Sequence, residues 1–96
     1  MGYRLTPRAQ SDIEEIWNYT CERWGVDQAE RYVGLIRDAV FRIAENPALG
    51  RRCDEIREGY LKLSVESHML FYNVSGADIA VIRVLHRRMD LPRHLN

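Results

Sequence analysis

The chain is 96 residues long, with 46% hydrophobic residues and 14 basic against 14 acidic side chains. That length makes one domain, residues 1–96, with a real but small core. Zero formal charge removes any bulk electrostatic argument for nucleic-acid binding, and no apolar run is long enough to span a membrane.

In chain order, Tyr3-Arg4-Leu5 is short and alternating, a first strand, and the start carries no apolar signal segment. Thr6-Pro7 opens a helix, with Thr6 as N-cap and Pro7 at the first helical position. Ala9, Ile13, Ile16, Trp17, Thr20, Cys21 and Trp24 recur at helical spacing and make one apolar face. Asp12, Glu14, Glu15, Glu22 and Arg23 decorate the rest, and Gly25 ends the helix in the left-handed region. Asp27 caps a second helix with the stripe Ala29, Tyr32, Val33, Ile36, Ala39, Val40, Ile43 and Ala44. Asn46-Pro47 stops it, because proline disfavours helical geometry in the residue before it. A connection this short makes the two helices an antiparallel hairpin, with both tryptophans in the core.

Residues 48–58 read as a solvated loop in which Arg51, Arg52 and Arg57 compensate Asp54, Glu55 and Glu58. From Gly59 the period switches to two, with Leu61, Leu63 and Val65 on one face of a strand over residues 60–65. Glu66-Ser67 turns the chain into a strand over 68–74, and Ser75-Gly76-Ala77 turns it into another over 79–85. Residues 90–95 form at most one closing helical turn. The order is β-α-α-β-β-β, an α+β fold in which a helical hairpin packs on one face of a small, mainly antiparallel sheet.

Strict alternation in the last strand puts Ile79, Val81, Arg83 and Leu85 on one face and Ala80, Ile82 and Val84 on the other. Charge is costly in a core, so the Arg83 face is assigned outward. Both faces are largely apolar while two helices cover only one, so the second face is expected to stand open for a partner.

Directly after this strand the chain turns basic: Arg83, Arg87, Arg88 and Arg93, with His86 and His94, stand against Asp90 alone. The function is placed there. His68 is expected at the surface or in a turn, and His86 is expected to bond a backbone carbonyl. No two histidines share metal-ligand spacing, so no metal and no cofactor is expected. Cys21 and Cys53 form no CxxC; Cys21 sits on the apolar stripe, and the absence of a disulfide framework favours a cytoplasmic setting. Nothing resembles a paired-carboxylate site, a phosphate loop or a nucleophile elbow, so no catalytic residue is assigned.

The residues resemble a known family. Tyr3-Arg-Leu-Thr, Ala9 with Asp12-Ile13, Ile16-Trp17 with Tyr19, and Trp24-Gly25 with Gln28-Ala29 and Tyr32 carry the first half. Asn46-Pro47 with Gly50-Arg51, Ile56-Arg57 with Gly59-Tyr60, His68 with Phe71-Tyr72, and Ile82-Arg83-Val84-Leu85-His86 with Arg88-Met89-Asp90 carry the second. Together they resemble a ParE-type toxin of the RelE/ParE toxin–antitoxin superfamily, with Leu61 departing from the arginine usual after Gly-Tyr.

The resemblance implies a type II toxin that inhibits DNA gyrase by trapping its DNA-cleavage complex, without enzymatic activity and without sequence-specific nucleic-acid binding of its own. It also implies a ParD-type antitoxin in a heterotetramer or larger hetero-oligomer. On this reading Arg83, His86, Arg87, Arg88, Arg93 and His94 meet the target. Leu61, Leu63, Val65, Met69, Phe71, Ile79, Val81 and Arg83 meet the antitoxin. The alternative is a RelE-type, ribosome-dependent mRNA endonuclease. Where such enzymes carry arginine and lysines on the sheet, this chain has Met69, Leu61 and Leu63, leaving Lys62, Arg88 and His94 as a thin set.

Overall fold

The computed structural model describes residues 2–88. The elements are β1 (Gly2–Leu5), α1 (Pro7–Trp24), α2 (Val26–Glu45), a 3-10 turn (Pro47–Leu49), β2 (Arg51–Arg52), β3 (Leu61–Val65), β4 (His68–Ser75) and β5 (Asp78–His86). The expected helical turn over 90–95 lies outside the described residues.

Local chemistry sets the helix ends. Thr6 Oγ1 accepts from the Ala9 N–H at 3.1 Å and donates to the Ile82 carbonyl at 2.8 Å, so one side chain both caps α1 and ties it to β5. At the far end, the Gly25 N–H donates to the Cys21 carbonyl at 2.9 Å, and the Gly25 carbonyl accepts from Ala29 at 3.1 Å. This one residue therefore closes α1 and opens α2. Its φ of 92° and ψ of 171° lie in a region essentially reserved for glycine. Asp27, expected as the cap of the second helix, sits instead inside its first turn, and no side chain caps α2.

The buried centre of α1 is Ala9, Asp12, Ile16 and Thr20, and that of α2 is Ala29, Ile36, Ala39, Val40, Ile43 and Ala44. Small residues there let the helices approach each other and the sheet closely. The tryptophans correct their expectation: Trp17 is half-buried at the flank of the stripe, and Trp24 is 69% exposed at the hairpin end.

The sheet has five strands in the order β1-β5-β4-β3-β2, with β1 parallel to β5 and the remaining pairs antiparallel. β2 was not expected; two residues are too few to show a period. A bulge corrects the face assignment of β5. Tyr72 pairs with Val81 and Phe71 with Arg83, so Ile82 is an extra residue on β5. Across the bulge the alternation resets. Ile79, Val81 and Val84 face the helices together with Leu70 and Tyr72, while Ile82 and Leu85 join Phe71 on the opposite side.

That opposite side is closed over by the chain itself. Phe71 and Leu85 pack with Cys53 and Tyr60, flanked by Ile56, Met69 and Ile82. The segment read as a solvated loop therefore anchors itself through Cys53, Ile56 and Tyr60, and burial pushes the Cys53 thiol upward in pKa. A close approach fixes the entry to this segment. Gly50 donates to the fully buried Tyr72 hydroxyl at 2.8 Å, which donates to the Pro47 carbonyl at 2.8 Å. A Cβ at Gly50 would collide with that ring.

Candidate functional site

The site is built at the end of β5, where the short β1 leaves a gap. β1 stops at Leu5 opposite Val81, and among the described residues no further strand pairs with that edge of β5. α1 crosses there, and Asp12 takes the strand's place. Its Oδ2 accepts from the Val84 N–H at 3.0 Å and from Arg83 Nε at 2.7 Å, and its Oδ1 accepts from Arg83 Nη2 at 2.9 Å. The two side chains are only 14% and 8% exposed, so a bidentate ion pair clamps α1 to the bulge. Those hydrogen bonds hold Arg83 still further into its charged form. Arg83, expected outward, is thus turned into a structural contact. Asp12, read from sequence as a surface acid, is buried at the centre of the α1 stripe.

One turn beyond lies a pair of histidines. The Tyr32 hydroxyl accepts from the Ser67 N–H at 3.0 Å, leaving its own proton for His68 Nδ1 at 2.7 Å. His68 is therefore neutral, with its proton on Nε2. Its ring meets Tyr32 and His86 edge-on, at 5.5 and 5.3 Å between centroids. Burial, reinforced by His86 and opposed by Asp12, pushes the His68 pKa down to about 4. His68 is thus half-buried and locked between α2 and β5 rather than free at the surface. Among the described residues His86 bonds no carbonyl: its Nδ1 accepts from the Arg88 N–H at 3.1 Å. The Arg87 N–H donates to the Ser67 carbonyl at 3.0 Å, closing the ends of β4 and β5 together.

Two hollows flank this pair. A groove of ≈ 380 Å³ against α1 is lined by Asp12, Glu15, Ile16, Tyr19, Thr20, His68, Val84 and His86. A more open hollow of ≈ 420 Å³ is lined by Glu66, Ser67, His86, Arg87 and Arg88. Arg87 and Arg88 are exposed, and among the described residues neither side chain pairs with an acid. Of the positions expected to meet a target, His86, Arg87 and Arg88 come together here. Arg83 does not, and Arg93 and His94 lie outside the described residues.

The positions expected to meet an antitoxin separate. Ile79 and Val81 are fully buried beneath the helices, with Val65 beside them and Leu61 and Leu63 packed half-buried against the same core. Phe71 is fully buried on the other side, where Met69 stays partly accessible. Exposed apolar surface lies elsewhere. A cleft of ≈ 190 Å³ runs between β1 and the hairpin, lined by Tyr3, Leu5, Ile13, Val33, Ile36, Arg37 and Val40. Tyr3 in this lining is 45% exposed, and its ring meets that of the equally exposed Phe41 at 5.8 Å between centroids. A shallower hollow lined by Ile13, Glu14, Trp17, Asn18 and Val33 continues it. The strand patterning held no signal for this surface, because it forms only where the edge strand meets the two helices.

No described helix is long and apolar enough to cross a membrane, and no three His, Cys, Asp or Glu side chains among the described residues gather as a metal-ligand group.

A family model for the ParE toxin of the type II toxin–antitoxin system parDE matches residues 3–91. The chain belongs to the ParE toxin family. It is 57% identical over 94 residues to Toxin ParE1 of Mycobacterium tuberculosis, covering 97% of this chain and 96% of the relative. It is 41% identical over 93 residues to Toxin ParE1 of Caulobacter vibrioides, with 97% and 96% covered. A structure titled as the chromosomal ParDE TA system from P. aeruginosa superposes with a TM-score of 0.79 at 20% identity, over 90% of this chain and 95% of that one. A YoeB/ParE toxin from Agrobacterium tumefaciens gives 0.65 at 23%, over 91% and 99%. These two show the shared ParE-like α+β fold.

Proposed function

We propose that residues 1–96, as one domain, act in the cytoplasm as a toxin that binds DNA gyrase and traps its cleavage complex, and that a ParD-type antitoxin neutralises it in a heterotetramer or larger assembly. Membership of the ParE family over nearly the whole chain carries this reading. The geometry supports gripping over cutting. A metal-free nuclease needs a free base near the scissile phosphate. Among the described residues, the Nδ1 acceptors of both His68 and His86 are already taken, by Tyr32 and by the Arg88 N–H, and His94 lies outside them.

The open cleft between β1 and the hairpin supports the antitoxin half of the proposal. Its apolar lining, with Phe41 against Tyr3, suits a segment carrying large apolar anchors. It replaces the sheet face as the main docking surface, leaving Met69 and the half-buried Leu61 and Leu63 as secondary contacts.

The experiment incubates purified protein with gyrase, ATP and supercoiled plasmid, then adds detergent and protease. Linear DNA that depends on gyrase is the expected result. Intact plasmid together with mRNA cut on ribosomes would replace this reading with the nuclease.

A further inference from the structure

We infer that His86, Arg87 and Arg88, held in place by Ser67, form a binding site for the phosphodiester backbone of DNA. The inference rests on the gyrase reading for its biological setting, and on the geometry of the hollow for its chemistry.

The Arg88 N–H donates to His86 Nδ1, which leaves Nε2 as the ring's hydrogen-bond donor. The Arg87 N–H is held by the Ser67 carbonyl, which fixes the backbone that carries both guanidiniums. Among the described residues, Arg52 pairs with Asp54 and Arg83 with Asp12. Arg87 and Arg88 have no such partner among the described residues, and both are exposed.

The lining decides between ligands. Described residues around the ≈ 420 Å³ hollow are Glu66, Ser67, His86, Arg87 and Arg88, without an apolar side chain. Protein interfaces are organised around buried apolar or aromatic anchors, and none stands among the described residues of this lining. A phosphodiester needs only planar forks and N–H donors, and guanidiniums meet its oxygens bidentately. Such contacts fix position without reading bases. Glu66, the one acid among the described lining residues, opposes the anion and sets a limit on affinity.

The test measures binding of a fluorescein-labelled 20-base-pair duplex (~20 base pairs suffices to cover so small a footprint) by anisotropy, at salt from about 50 to 200 mM. Arg87→Ala/Arg88→Ala is compared with Arg8→Ala/Arg31→Ala, a control of equal charge change on the exposed helix surface. The first variant should weaken binding about tenfold at the low-salt end and lower the salt slope by about two, one per lost phosphate contact. The control should do neither, and Glu66→Gln should tighten binding. Equal losses in both double variants, or no duplex binding by the wild type, overturn the site.

A pull-down with gyrase free of DNA separates this from the parent reading. Loss of that capture in Arg87→Ala/Arg88→Ala, with duplex affinity unchanged, makes the arginines a protein contact and overturns the proposal while the gyrase reading stands. Duplex binding that depends on both arginines, in a protein that never traps gyrase, upholds the site and removes the gyrase reading.

Discussion

Asp12 does the work of a missing strand, and that makes its removal costly. Asp12→Ala would leave the Arg83 guanidinium nearly buried without its carboxylate, and the Val84 N–H without an acceptor. Breaking one side of such a pair costs about 3–5 kcal/mol. Denaturant unfolding should show that loss, and the further change Arg83→Met should recover part of it, because the charge that lost its carboxylate is then gone. His68 gives a prediction in pH. Its folded pKa of about 4 lies below the 6.5 of a free imidazole, so between those values the unfolded chain binds more protons. Stability from this residue is intact above pH 6.5 and is lost as pH falls towards 4; the shift sets a ceiling of about 3 kcal/mol, which solvent screening of the half-buried ring reduces. Denaturant midpoints at pH 7.5 and 5 should fall apart in the wild type and converge in His68→Gln. Neither residue was legible alone. An acid one turn from Ile16 looks like surface until its partner, 71 positions away, comes into place.

At the level of elements, local chemistry was readable and long-range register was not. Thr6-Pro7, Gly25 and Asn46-Pro47 mark the helix ends because each acts within a turn of its own position. The bulge at Ile82 answers to two other elements at once: β4, which sets the pairing, and α1, which supplies Asp12 to the edge. Period-two counting along one strand cannot contain that information, so it placed Arg83 outward and left Phe71 uncovered. Cys53, Ile56 and Tyr60 were the available sign of a lid, three apolar anchors among charges, with Ile56 turned back onto the Cys53 carbonyl at 2.9 Å. The same correction changes what Leu63 should do. It packs against the helix-side core, so Leu63→Asp should cost about 2–4 kcal/mol of stability through lost packing and a poorly solvated charge. A melt that is unchanged, with antitoxin affinity reduced, would return Leu63 to the partner surface.

For the molecule as a whole, β5 separates the two proposed surfaces. Tyr3, at the apolar cleft, pairs with Ile79 near the start of the strand, whereas His86 ends it. Seven residues of strand span roughly 23 Å, well beyond the range in which substitutions usually couple. Phe41→Glu and Arg87→Ala/Arg88→Ala should therefore act independently. The first places charge against Tyr3 of the cleft and should weaken antitoxin capture while gyrase trapping continues, so cells die even when the antitoxin is co-expressed. The second should abolish trapping and leave antitoxin capture intact. The combined variant should show both losses, each within about 0.5 kcal/mol of its single-variant value. Strong coupling would mean that one antitoxin segment reaches from the cleft to the basic hollow. Neutralisation would then work by covering the arginines directly, and a shortened antitoxin confined to the cleft would bind this chain without protecting the cell.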